Sequence, residues 1–127
     1  MQFDLKMPLL GFENINSMTL QKVDDIFMRL EEPEKQDPSF TLVNPFALRE
    51  YSFDMPTSLK TLLDISEKSN ILIYNIMIVQ QPMDASTINF AAPIIFNTDN
   101  QTMAQLIISD VPEFGIAEPI SKYINQN

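Results

Sequence analysis

Ile71–Val79 is a run of nine residues interrupted only by Asn75. It falls far short of the ~20 apolar residues that cross a bilayer. Its β-branched content favours a strand, and a run with no polar alternation is that of a central strand buried on both faces. An amide in the middle of such a strand needs a hydrogen-bond partner, so Asn75 must meet one. The rest of the chain has to supply neighbours for this strand.

The neighbours are short. Met1–Lys6 alternates strictly, with Met1, Phe3 and Leu5 opposite Gln2, Asp4 and Lys6, which is the pattern of a half-buried strand. Ser17–Val23 and Ile26–Leu30 are two more strands, joined at Asp24-Asp25. Glu31–Pro38 is polar and carries two prolines, so it is a loop. Ser39–Val43 is a strand ended by Asn44-Pro45, because a residue before proline is pushed out of the helical region. Leu48–Phe53 resumes an extended pattern. Pro56 then opens a short helix with Leu59, Leu62 and Leu63 on one face.

Beyond the central run, Gln80–Asp84 is a turn. Thr87–Asn97 reads as a strand at an edge or with a bulge, since Pro93 cannot donate to a ladder. Asn97–Thr102 turns the chain and Met103–Ser109 returns as the second arm of a hairpin. Ile116, Ile120, Tyr123 and Ile124 then follow helical spacing, with Pro119 in the first turn. The sum is a mainly β chain of about eight short strands, one short central helix and a C-terminal helix. That points to a small β-barrel or a two-layer sandwich formed by one domain over residues 1–127. With only two glycines, the turns must rely on Asn, Asp and Pro.

Composition removes most chemistry. There is no histidine and no cysteine, so Ser-His-Asp and Cys-His sites are absent, as are disulfides and the usual zinc ligands. Gly11 and Gly115 cannot build a phosphate cradle. A metal would need an all-oxygen site, for which Asn97–Asn100 around Asp99 is the best stretch. It lacks the glycine and distal glutamate of an EF-hand, and a polar hairpin turn explains it as well. No Asp/Glu pair stands out for acid–base work. The chain is therefore expected to be a binding protein, not an enzyme, with no cofactor and no metal.

The net charge is -9, and after Lys68 the only basic side chain is Lys122. Such a chain repels nucleic acid and anionic lipid and attracts a basic protein, although acidity also serves plain solubility. Asp4 and Lys6 interrupt the apolar residues of Met1–Gly11, which argues against a signal peptide and for the cytoplasm.

Several strings resemble one family, the flagellar assembly factors called FliW. They are Asn44-Pro45-Phe46, Tyr51-Ser52-Phe53-Asp54-Met55-Pro56, Leu72-Ile73-Tyr74-Asn75-Ile76 and Thr87-Ile88-Asn89-Phe90-Ala91-Ala92-Pro93-Ile94-Ile95-Phe96-Asn97. Gly11-Phe12-Glu13 and Gln105-Leu106-Ile107 add to them, so the resemblance runs from about residue 8 to about residue 110. Two places depart from it: Pro8-Leu9-Leu10-Gly11 before Phe12, and the acidic C-terminal end. The resemblance implies a monomeric, cytoplasmic, barrel-like protein without catalysis. Such a protein binds flagellin before secretion and also binds the translational repressor CsrA, preventing it from silencing flagellin mRNA. The alternative is a structural or chaperone subunit of a flagellar or secretion assembly without a CsrA role.

The residues expected to meet partners are Phe46, Tyr51 and Phe53 after the Asn-Pro turn, and Glu113, Phe114, Glu118 and Tyr123 in the acidic end. Aromatic side chains near turns anchor partner helices, although core packing is an equally ordinary use for them. The first group is expected to serve flagellin and the second CsrA, which must be basic where it grips RNA. The asparagines of the matched strings are expected to satisfy backbone groups at turns and bulges.

Overall fold

The computed structural model describes residues 1–9 and 11–123. Among these residues nine strands form one sheet: β1 (Gln2–Leu5), β2 (Ser17–Lys22), β3 (Phe27–Glu31), β4 (Ser39–Val43), β5 (Ile71–Ile78), β6 (Thr87–Ile88), β7 (Ile94–Asn97), β8 (Thr102–Gln105) and β9 (Glu118–Pro119). β1 to β4 follow one another as antiparallel neighbours, β4 pairs with β5, β5 with β7, β7 with β8, and β8 returns in parallel to β1. The sheet therefore closes into a barrel of seven strands. β6 and β9 lie outside the ring, attached to the far end of β5.

Period-two alternation fills the interior. Phe3, Met18, Leu20, Leu30, Leu42, Ile94, Phe96 and Met103 form one buried cluster, with the Phe3 and Phe96 rings 5.0 Å apart in an edge-to-face contact. Asp24 makes the β2–β3 turn, its carboxylate accepting from the Ile26 and Phe27 amides at 2.8 Å each. Helix α1 (Thr57–Leu62) packs Leu59 and Leu63 on the outer face of β7 and β8, against Ile95 and Ala104. Hence full burial on both faces belongs to β7, whereas β5 is buried only at Asn75 and Met77. The difference from the sequence expectation follows from where α1 lies, which hydropathy alone does not reveal.

Other elements also differ. The stretch Thr87–Asn97 is two strands, not one, because Pro93 has no amide and the Asn89 side chain accepts from the Ala91 amide at 3.0 Å in a local turn. Leu48 ends a 3-10 turn at Pro45–Ala47, where the Asn44 side chain accepts from the Phe46 amide, and Tyr51–Phe53 joins no ladder. β8 stops at Gln105, after which the Leu106 and Ile108 amides bond to the Pro93 and Ala91 carbonyls.

The C-terminal amphipathic helix does not form over the described residues. β9 pairs with β6, Thr87 opposite Pro119 and Ile88 opposite Glu118, and a 3-10 turn spans Ile120–Lys122. The Ile120 amide bonds to the Ser86 carbonyl at 2.9 Å, which commits the segment to the sheet edge. Ile116 and Ile120 cannot share an apolar face, since Ile116 is exposed and Ile120 fully buried. Ile124, the last residue of that expected helix, lies outside the described residues.

The all-oxygen metal stretch has a structural task. Asn97 Nδ2 donates to the Leu63 carbonyl at 2.9 Å and the Asp64 carbonyl at 3.3 Å, and Asn100 Nδ2 donates to the same Leu63 oxygen at 2.9 Å. Carbonyls at the end of α1 thus receive the donors that a helix C-terminus lacks. The Asp99 carboxylate accepts from the Asn70 side chain and amide at 2.9 and 3.0 Å, bonds that hold its pKa below the usual value.

Candidate partner-binding surface

Tyr51 is the hub of an aromatic cluster beside the barrel. The Asn44-Pro45 turn and the unpaired segment after it carry Phe46, Arg49, Tyr51 and Phe53 across the outer end of β4 and β5. The Tyr51 hydroxyl donates to the Phe90 carbonyl at 2.6 Å and accepts from Asn75 Nδ2 at 3.2 Å. Burial pushes the Tyr51 pKa up, against the Asn75 hydrogen bond and the Arg49 charge. Asn75 Nδ2 also donates to the Asn89 carbonyl at 2.9 Å. The interior amide of the central strand therefore holds the break between β6 and β7 in register with Tyr51.

Five rings surround the hub or its neighbours. Tyr51 lies 6.0 Å from Phe46, 5.7 Å from Phe53, 5.7 Å from Phe90 and 4.7 Å from Phe114, and Phe90 lies 5.4 Å from Tyr123. Arg49 is set among them, its guanidinium carbon 5.1 Å from the centroids of both Phe90 and Phe114 and 5.9 Å from that of Tyr123. A cation held over several ring faces gains from each ring quadrupole. Arg49 also pairs with Glu118 at 3.6 Å and donates to the Tyr123 hydroxyl at 3.4 Å.

Glu118 locks the C-terminal segment down. Its carboxylate accepts from the Gly115 amide at 2.6 Å, from the Tyr123 hydroxyl, and pairs with Lys122 at 3.7 Å. Burial pushes the Glu118 carboxyl up, but the bonds from Tyr123 and Gly115 and the charges of Lys122 and Arg49 outweigh it and leave the pKa below its ordinary value. Tyr123 is raised, by burial first and then by its bond to Glu118 and that group's charge. Gly115 has no room for a side chain, because a Cβ there would come within 2.9 Å of Glu118 Cγ.

The two groups of residues expected to meet separate partners are one continuous assembly. Phe46 protrudes, 54% exposed, and Glu113 is exposed beside the cluster, while Phe53, Phe114, Glu118 and Tyr123 are half-buried and Tyr51 is buried. Arg49, Phe90 and Asn75 are the members that sequence reasoning did not single out for this role. Arg49 stands between Phe46 and Tyr51 in the chain, and an arginine inside an aromatic-rich string is the signal that would have found it. Among the described residues no group of His, Cys, Asp or Glu is placed to hold a metal, and no helix is long and apolar enough to cross a membrane.

A small closed β-barrel, flanked by an aromatic–arginine cluster that ties a C-terminal segment to the wall, is the class that this geometry defines. The chain belongs to the FliW family, whose model, described as FliW protein, matches residues 1–120. It is 50% identical over 129 residues to the flagellar assembly factor FliW 2 of Wolinella succinogenes, covering 100% of this chain and 95% of that protein. It is 52% identical over 126 residues to the flagellar assembly factor FliW of Sulfurimonas denitrificans, covering 99% of this chain and 100% of that protein. A crystal structure of the flagellar assembly factor FliW superposes with a TM-score of 0.88 at 20% identity, over 99% of this chain and 88% of that one, which shows the shared fold.

Proposed function

We propose that this chain is a cytoplasmic flagellar assembly factor that binds flagellin before secretion and sequesters the translational repressor CsrA. Flagellin that accumulates occupies the factor, and CsrA is released to silence flagellin mRNA. Export frees the factor to take CsrA back. It works as a monomer, as one unit over residues 1–127, without cofactor or catalysis.

One observation supports the coupling: Arg49 stands within the flagellin-side string Phe46–Phe53 and contacts the C-terminal segment through the Phe114 and Tyr123 rings and the Glu118 carboxylate, with the Phe90 ring beside them. Two partners that each draw on this cluster compete or bias each other's site. Phe46 is the exposed anchor for flagellin, with the Tyr51 ring against it and Phe53 packed in turn on Tyr51. Glu113 offers a free charge to basic CsrA, whereas Glu118 is spent inside and positions Phe114 and Tyr123. The charge of -9 speeds encounter with a basic partner.

Separate titrations of flagellin and CsrA into the chain test the reading. Phe46→Ala is expected to weaken flagellin roughly tenfold or more, as loss of an aromatic anchor does. Glu113→Lys is expected to weaken CsrA and reduce its salt dependence. Unchanged flagellin affinity in the first variant, or unchanged CsrA affinity in the second, removes the respective assignment. A stable oligomer on a sizing column, with neither partner bound, would favour a structural subunit of a larger assembly.

A further inference from the structure

Phe53 closes the aromatic cluster on one side and lines a cleft of about 690 Å³ on the other. One wall of the cleft is Ser52–Asp54 with Pro56, and the other is the stretch from Leu106 to Val111. Ile107, 62% exposed, lies where this cleft meets two further depressions that extend past Met7 toward Glu13.

The second wall bonds as a strand does. The Leu106 and Ile108 amides, two positions apart, are spent inward on the Pro93 and Ala91 carbonyls at 2.9 and 2.7 Å. The Ile107 and Ser109 amides and the Ile107 carbonyl bond to no protein group among the described residues. Alternate groups of one segment thus leave an open edge, which is a template for another strand. Proteins blunt such edges with lysine, proline or a bulge, yet Leu106–Ser109 contains no charge and no proline.

Charge selects the occupant. Asp54 and Asp110 face the cleft and Glu13 lies at the far depression, while no Lys or Arg lines any of the three. A second copy would bring a net charge of -9 and the same acidic rim, so edge-to-edge pairing of this chain is opposed. We propose that the Leu106–Ser109 edge docks an extended segment of a partner protein, apolar at alternate positions and ending in lysine or arginine, which adds as a strand. Main-chain bonds to Ile107 and Ser109 hold it, and its basic ends meet Asp54 and Asp110. The proposal does not depend on which proteins bind the aromatic cluster.

The test is an amide NMR titration of the full chain with a short capped peptide that alternates valine and threonine between terminal lysines. Saturating shifts and slowed exchange at Ile107 and Ser109 are expected. The same peptide N-methylated along one edge, or ending in glutamates, is expected to bind at least about tenfold more weakly, since it loses the ladder bonds or the charge match. Ile107→Pro removes the outward donor and none of the inward ones, and is expected to weaken the peptide similarly. Should that variant misfold, the surface pair Asp54→Lys with Asp110→Lys must abolish the preference for lysine over glutamate ends. Equal binding of the N-methylated peptide, shifts located elsewhere, or no shift at any soluble concentration would overturn the proposal. So would shifts at Ile107 that follow protein concentration alone, which would make a second copy the occupant.

Discussion

Arg49 and Glu118 hold together parts of the chain that are far apart in sequence; Arg49 reaches Tyr123 across 74 positions. Neither side chain is a free surface charge, with 22% and 12% of the two side chains exposed. Truncating Arg49 to alanine removes a cation from between three rings and leaves Glu118 short of a partner. The expected cost is about 1–3 kcal/mol, the range for losing a partly buried charged bond, with lysine restoring only part because it lacks the planar guanidinium. Glu118 supplies a pH test. Its folded pKa is depressed, so its contribution is complete above the ordinary value of 4.5 and is lost as pH falls through the lower folded value. Glu118→Gln is therefore expected to destabilise the chain at neutral pH and to flatten the acid limb of its stability curve. Acid unfolding with the same slope as the parent would show that the carboxylate is not what holds the segment.

At the scale of elements, the β7–β8 hairpin and α1 form a unit through Asn97. Its side-chain amide hydrogens satisfy helix-end carbonyls that no backbone donor among the described residues reaches, and it is 1% exposed. Asn97→Ala should cost about 1–3 kcal/mol in urea unfolding, since it removes a buried donor to two carbonyls and leaves Leu63 with Asn100 alone. A change within experimental scatter would mean that Asn100 alone suffices. Most strands were legible, because the alternation of Met1–Lys6 around Phe3 and the β-prone runs at Ser39–Val43 and Ile71–Val79 are local information, whereas Leu48–Phe53 joins no ladder. Helix α1 was legible from Leu59, Leu62 and Leu63 for the same reason. The C-terminal segment was not, since helical spacing of Ile116, Ile120 and Tyr123 competes with long-range pairing to β6, and pairing wins where the Ser86 carbonyl and the Glu118 network await it. The union of the two candidate partner groups was equally hidden. Nothing local to Phe46–Phe53 announces Phe114 as a ring neighbour, although Arg49 among aromatics was a clue.

For the whole molecule, the aromatic cluster and the cleft lie on either side of Phe53, and Arg49 ties the cluster to the C-terminal segment through Glu118. The central claim is a partner switch at this cluster. The most direct measurement is calorimetric titration of CsrA into the chain alone and into the chain saturated with flagellin. The account predicts that CsrA binds the free chain and that its affinity for the saturated chain falls by about tenfold or more, a coupling of about 1.4 kcal/mol or more that must appear equally when the order of addition is reversed. CsrA binding to the flagellin-saturated chain with undiminished affinity would contradict it.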